Sequence, residues 1–128
     1  VTNKQRILIA DDDPALISIL THLLESENYE VISASDGVAA LEAARRTMPD
    51  LVILDLMMPR LDGFGVLMKL YGDEPRLRAP AIMLTAQSGR DYRDVAASLG
   101  AITFVEKPFD NERLLDIVRK TLAIKPRS

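Results

Sequence analysis

Apolar residues fall in two rhythms along this chain. Five short runs are almost unbroken: "RILIA" (6–10), "YEVISA" (29–34), "LVIL" (51–54), "AIMLT" (81–85) and "ITFV" (102–105). Between them, apolar residues recur three and four positions apart. After Pro14 they are Leu16, Ile17, Leu20, Leu23 and Leu24, the spacing of one helical face. "SDG" (35–37) turns into the alanine-rich "VAALEAARRT", a second helix. A loop with Pro59 and Gly63 leads into a third helix through about Tyr71. "DYRDVAASL" predicts a fourth helix that stops at Gly100, a residue suited to the left-handed turn after a helix. Asp110 caps a fifth helix with Leu114, Leu115, Val118 and Leu122 on one face.

Strand and helix thus alternate five times. This predicts an α/β fold, a doubly wound five-stranded parallel sheet with five helices on its two faces. The strands are apolar throughout, as strands covered on both sides must be. No longer repeat and no low-complexity segment interrupts the pattern. "GDEPRLRAP" (72–80) reads as a polar connector inside the domain. The domain is expected to occupy residues 1–124, with "KPRS" (125–128) a frayed tail or the start of a linker.

Composition narrows the function. The 128 residues are 48% hydrophobic and 27% charged, the balance of a globular domain with one core. Sixteen basic and 19 acidic residues leave a net charge of −3, which argues against a nucleic-acid or anionic-membrane surface. With no cysteine there is no disulfide framework and no thiolate chemistry. No signal peptide or bilayer-spanning apolar run is visible, and a cytoplasmic location is expected. The chain begins at Val1 rather than Met, which fits a trimmed chain or a piece of a longer one.

The polar residues at the strand ends carry the chemistry. In open α/β sheets, sites form beyond the carboxyl ends of the strands. Asp11 and Asp12 follow the first strand, Asp55 follows the third, Thr85 ends the fourth, and Lys107 with Pro108 follows the fifth. The second strand ends in Ser33, Ala34 and Ser35, and an edge position suits it. Three gathered carboxylates repel one another and raise one another's pKa values. A hard divalent cation removes the conflict: Mg²⁺ takes oxygen ligands at roughly 2.0–2.1 Å and keeps several waters. Lys107 and Thr85 would then meet phosphoryl oxygens, and a carboxylate can attack phosphorus to form an acyl phosphate.

Other polar and aromatic residues have plainer readings. Asp13 before Pro14 is an N-cap followed by a favoured first helical residue. Asp62 before Gly63 reads as a turn or cap. Phe104 reads as core, and Met57 and Met58 as loop or rim apolar groups. His22, the single histidine, is expected on the surface of the first helix. "RDYRD" (90–94) reads as a solvated helix start.

Four motifs in register, "ADDDP" (10–14), "LVILDLMMPRLDG" (51–63), "MLTA" (83–86) and "FVEKPF" (104–109), cover almost the whole chain. Together they resemble the receiver domain of bacterial response regulators. The resemblance implies a flavodoxin-like sheet of strand order 2-1-3-4-5. It implies that Asp55 is the phosphoacceptor. Asp11, Asp12 and Asp55, with the backbone carbonyl of Met57, would hold Mg²⁺. Lys107 would pair with the phosphoryl group, and Thr85 would hydrogen-bond it. Thr85 and Phe104 match the family's switch positions, and a cis peptide is expected between Lys107 and Pro108. The implied phosphodonor is a phosphohistidine on a sensor histidine kinase or a histidine phosphotransfer protein. The implied response is a changed surface over the fourth helix, fifth strand and fifth helix, with a homodimer as one outcome. Such a domain binds no nucleic acid or membrane directly. It is not a conventional enzyme beyond self-phosphorylation from phosphodonors and slow self-dephosphorylation. The sequence departs from receivers that carry acidic residues just before the fifth strand for a salt-bridged dimer. Ile102 and Thr103 stand there, so Ile102 is available to an apolar patch.

The sequence leaves three rival functions open. An Mg²⁺-dependent phosphohydrolase with an aspartyl-phosphate intermediate would need a second acid near Asp55, and Asp55-Leu56-Met57 does not supply it two residues on. A flavin or nucleotide module would need a glycine-rich loop after the first strand, where the chain has acids instead. A docking module independent of phosphorylation would keep the fold without using the site.

Overall fold

The computed structural model describes residues 4–73 and 79–123. Strands β1 (Arg6–Ala10), β2 (Glu30–Ala34), β3 (Leu51–Leu54), β4 (Ala81–Thr85) and β5 (Thr103–Glu106) form one sheet. Its order is β2-β1-β3-β4-β5, and every pairing is parallel. Helices α1 (Pro14–Glu25), α2 (Gly37–Thr47), α3 (Gly63–Met68), α4 (Arg90–Ser98) and α5 (Asn111–Ala123) connect or follow the strands.

The unbroken apolar runs have the cause inferred from sequence. Successive strand residues point to opposite faces, and both faces are covered. Leu8, Ala10, Val52, Leu54, Ala81 and Met83 pack with α2, α3 and the Ala96 side of α4. Ile7, Ile9, Leu51, Ile53, Ile82 and Leu84 pack with Leu20 and Leu24 of α1 and with Leu114, Leu115 and Val118 of α5. All four residues of β3 and all five of β4 are buried, whereas the edge strands β2 and β5 are only partly so.

Local signals placed the helix ends. The Asp13 carboxylate accepts from the Ala15 N–H at 3.0 Å, and Pro14 opens α1. Asp36 caps α2 through the Ala39 N–H at 2.8 Å, and Asp62 caps α3 through the Gly65 N–H at 2.8 Å. Asp110 receives the Glu112 N–H on its carboxylate at 3.3 Å. Gly100 follows α4 at φ +107°.

Three expectations need correction. The third helix does not run uniformly to Tyr71: α3 ends at Met68 and a π-helical turn takes over, Lys69–Asp73. Apolar spacing over one turn does not distinguish the two windings. The last strand is shifted by one residue. Thr103 is the first to pair, opposite Ile82, while Ile102 stays 49% exposed and Glu106 joins the strand opposite Thr85. Met58 is not a rim residue: it is buried in the α2/α3 core, while its neighbour Met57 is 57% exposed. The proposed tail, 125–128, and most of the 72–80 connector lie outside the described residues. Among the described residues no helix is long and apolar enough to cross a membrane.

Candidate functional site

The strand order reverses at β1 and β3: the chain leaves β1 toward β2 on one side, then returns to β3 on the other. Such a switch point opens a crevice at the carboxyl ends of those strands. The ladder hydrogen bonds continue one residue past each strand and carry polar residues into that crevice. The Asp11 N–H donates to the Ala34 carbonyl at 3.1 Å, the Asp55 N–H to the Ala10 carbonyl at 2.9 Å, and the Lys107 N–H to the Thr85 carbonyl at 2.9 Å. Asp11, Asp55 and Lys107 are thus held by the sheet itself, on backbone that has little freedom.

Their side chains converge. The Lys107 ammonium donates to Asp11 Oδ2 at 2.7 Å and lies 3.3 Å from Asp55 Oδ2. The other Asp11 oxygen, Oδ1, accepts from the Asp13 N–H at 2.9 Å. Asp11 and Asp55 are buried and Asp12 is exposed, yet carboxylate oxygens of all three lie within 4.8 Å of one another. The peptide between Lys107 and Pro108 is cis, as expected. Thr85 is buried at the same edge, and its hydroxyl accepts from the Gln87 N–H at 3.2 Å. Its hydroxyl proton is left for another acceptor. Met57 stands exposed in the loop after Asp55. That loop is pinned from behind: a Cβ on Gly63 would sit 2.5 Å from the Asp55 carbonyl oxygen, so only glycine lets α3 start this close to the site.

Electrostatics follow from this burial. Burial pushes the Asp11 carboxyl above its ordinary range, and the hydrogen bonds from Lys107 and the Asp13 N–H offset only part of that. Burial alone would lower the Lys107 ammonium. Its hydrogen bond to Asp11 and the charges of Asp11 and Asp55 outweigh that and raise it, so Lys107 is a firmly held cation.

The donor set suits a hard divalent ion. Three close carboxylates with one ammonium leave excess negative charge, and all the donors are oxygens. The exposed Asp12 leaves one side of the cluster open to water.

The sequence-predicted residues fall into two groups. Asp11, Asp12, Asp55 and Lys107 meet directly, and Thr85 stands beside them through its backbone bond to Lys107. Phe104 lies on β5 opposite Met83, two residues before the Thr85–Glu106 pair. It is half-buried, packed against the core as expected, but covered on one face by Arg93, whose guanidinium carbon is 5.0 Å from the ring centroid. The sequence does not show that contact: "RDYRD" reads as a solvated helix start, and residues 90–94 are indeed exposed. His22 is exposed as well.

Comparison with known proteins places this geometry in a family. The family described as "Response regulator receiver domain" matches residues 7–119. Response regulator PleD of Caulobacter vibrioides is 41% identical over 120 residues, which are 94% of this chain and 26% of that protein. The alkaline phosphatase synthesis transcriptional regulatory protein PhoP of Bacillus subtilis is 37% identical over 129 residues, 98% of this chain and 53% of PhoP. The chain therefore spans between about a quarter and about a half of these relatives. The non-phosphorylated HemR receiver domain of Leptospira biflexa superposes with a TM-score of 0.89 at 32% identity, covering 98% of this chain and 99% of that one. A CheY-like receiver domain protein of Methanospirillum hungatei does so with a TM-score of 0.88 at 27% identity, covering 94% and 95%. The matched span runs from inside β1 into α5 and takes in every strand end that builds the acidic crevice. The chain accordingly belongs to the response regulator receiver domains of two-component signalling.

Proposed function

We propose that this domain is a phosphorylation-dependent switch in which Asp55 accepts a phosphoryl group from a phosphohistidine. One observation carries the reading: Asp11, Asp12 and Asp55 converge with Lys107 at the β1/β3 switch point. In the transfer, an Asp55 oxygen attacks phosphorus, the O–P bond forms, and the P–N bond to the donor imidazole breaks. The donor is a sensor histidine kinase or a histidine phosphotransfer protein. Asp11, Asp12 and Asp55, with the Met57 carbonyl, would hold Mg²⁺. When bound, that ion neutralises the carboxylates and offsets charge on the transferring group.

The residues of the chain do the rest. Lys107 already bridges Asp11 and Asp55, so its ammonium needs only a small displacement to pair with phosphoryl oxygens. The Thr85 hydroxyl, which accepts from the Gln87 N–H in the unmodified domain, donates its own proton to the phosphoryl group. Movement of Thr85 leaves space that Phe104 fills, and the α4–β5–α5 surface changes. The unmodified domain samples that state, and phosphorylation shifts the population. A change from 1:99 to 99:1 requires about 5.5 kcal/mol of differential stabilisation, within reach of two charge-assisted contacts and a metal.

Acetyl phosphate with Mg²⁺ tests the assignment. Wild-type protein should gain the mass of one phosphoryl group, and Asp55→Asn should not. Equal incorporation by both would remove Asp55 from the role.

A further inference from the structure

Helix α4 is lightly attached to the sheet. Of its nine residues only Ala96 is buried. Its N-terminus follows Gly89 at φ +117° and has no side-chain cap. Its C-terminal end is held by backbone, with the Ala101 N–H on the Ala96 carbonyl at 2.9 Å and the Ile102 N–H on the Ala81 carbonyl at 2.8 Å. Toward the N-terminal end, among the described residues, the side-chain hydrogen bonds from α4 to β5 come from Arg93. Its guanidinium lies over the Phe104 ring, Nη1 donates to the Phe104 carbonyl at 3.3 Å, and Nη2 donates to Glu106 Oε2 at 3.2 Å.

These contacts reach toward the site. Phe104 and Glu106 flank the buried Val105 and so share the opposite face of β5, the face toward α4. Glu106 pairs in register with Thr85 and is followed directly by Lys107. A groove of about 260 Å³ opens beside the ring, lined in part by Arg93, Phe104, Phe109 and Arg113. The ring is half-buried against the core, and the Arg93 guanidinium covers its outer face.

We propose that Arg93 is a positioning residue, a clamp that holds Phe104 and the end of β5 in the unphosphorylated arrangement and must let go when the switch turns. This rests on the reading of Asp55 as phosphoacceptor. A contact made in one state and lost in the other biases the equilibrium by its own free energy. An exposed cation–π contact and an exposed ion pair are each weak. Together they bias the equilibrium several-fold, which tunes the switch without locking it.

The test is a titration with beryllofluoride, a phosphoryl mimic, in the presence of Mg²⁺, followed by NMR. Urea unfolding of the same proteins runs in parallel. Arg93→Ala should bind about fivefold more tightly than wild type, and Glu106→Gln about twofold. Arg93→Lys, which keeps the charge but loses the planar fork, should fall between wild type and Arg93→Ala. A purely structural tie would lower stability and leave the affinity unchanged, and that result overturns the clamp. If Arg93→Ala does not fold, unchanged affinity in Glu106→Gln overturns it instead. Wild-type binding that survives Asp55→Asn, or no binding by wild type, overturns the phosphoacceptor reading and the clamp with it. Asp55-dependent binding that Arg93→Ala does not tighten overturns the clamp alone.

Discussion

Replacing Lys107 with alanine leaves Asp11 and Asp55 facing one another without the ammonium between them. The Asp11 side chain is 3% exposed and the Asp55 side chain 9%, against 20% for Lys107. Removing one partner of a fully buried ion pair costs about 3–5 kcal/mol. Water reaches Lys107 and, through Asp12, the edge of the cluster, so the cost here is about 2–3 kcal/mol at neutral pH. The pH dependence identifies the cause. Burial already raises the Asp11 carboxyl, and Lys107 supplies the strongest opposing pull. Without it the carboxyl rises further. A carboxyl whose folded pKa exceeds its unfolded one penalises the fold above the folded value, and the penalty fades as pH falls through it. The gap between wild type and variant should therefore narrow in acid. It should narrow in strong alkali too. The Lys107 contribution is complete below its ordinary pKa and is lost as pH rises through its raised folded value. Urea unfolding followed by circular dichroism from about pH 5 to about pH 11 measures the difference curve. A maximum between the two limbs is expected, and Mg²⁺ should stabilise the variant more than wild type. A difference that is flat with pH, or below about 0.5 kcal/mol at neutral pH, would refute the charge argument.

Three further outcomes follow from single contacts. Asp12 is exposed, so Asp12→Asn should weaken Mg²⁺ binding in calorimetry about tenfold or more while changing stability by less than about 0.5 kcal/mol; equal affinity would remove Asp12 from the metal site. A Cβ on Gly37 would meet the Leu61 carbonyl oxygen at 2.0 Å, a backbone atom, so Gly37→Ala should destabilise by about 1–3 kcal/mol; an unchanged Tm would show that the α2 start does not pack this tightly on the loop after β3. The Tyr71 hydroxyl donates to the Ala79 carbonyl at 2.7 Å, and burial pushes its phenol up to about 12. The unfolded phenol ionises near pH 10 and the folded one later, so wild type should lose up to about 2.7 kcal/mol as pH rises from 10 through 12. Tyr71→Phe should lose correspondingly less, and equal alkaline loss in both would show that the phenol is not the cause.

Much of the architecture was legible because parallel strands buried on both faces must be apolar at every position. That rule exposed β1, β3 and β4 directly, and helical spacing exposed α1 and α5. Caps are local as well: Asp13, Asp62, Asp110 and Gly100 act within a few residues of themselves. The site residues were visible as types at strand ends, since a sheet edge is where such side chains collect. Their meeting was not. Lys107 and Asp11 are 96 residues apart, and only the β2-β1-β3-β4-β5 order brings their strand ends to one crevice. Tertiary packing also decided which of Met57 and Met58 turns inward, where β5 begins, and that the exposed Arg93 lies over Phe104. Each of these depends on how an element is rotated and shifted against its neighbour. The period of a sequence records that an element has a buried face, but the contacts that set its rotation and register come from residues far away in the chain.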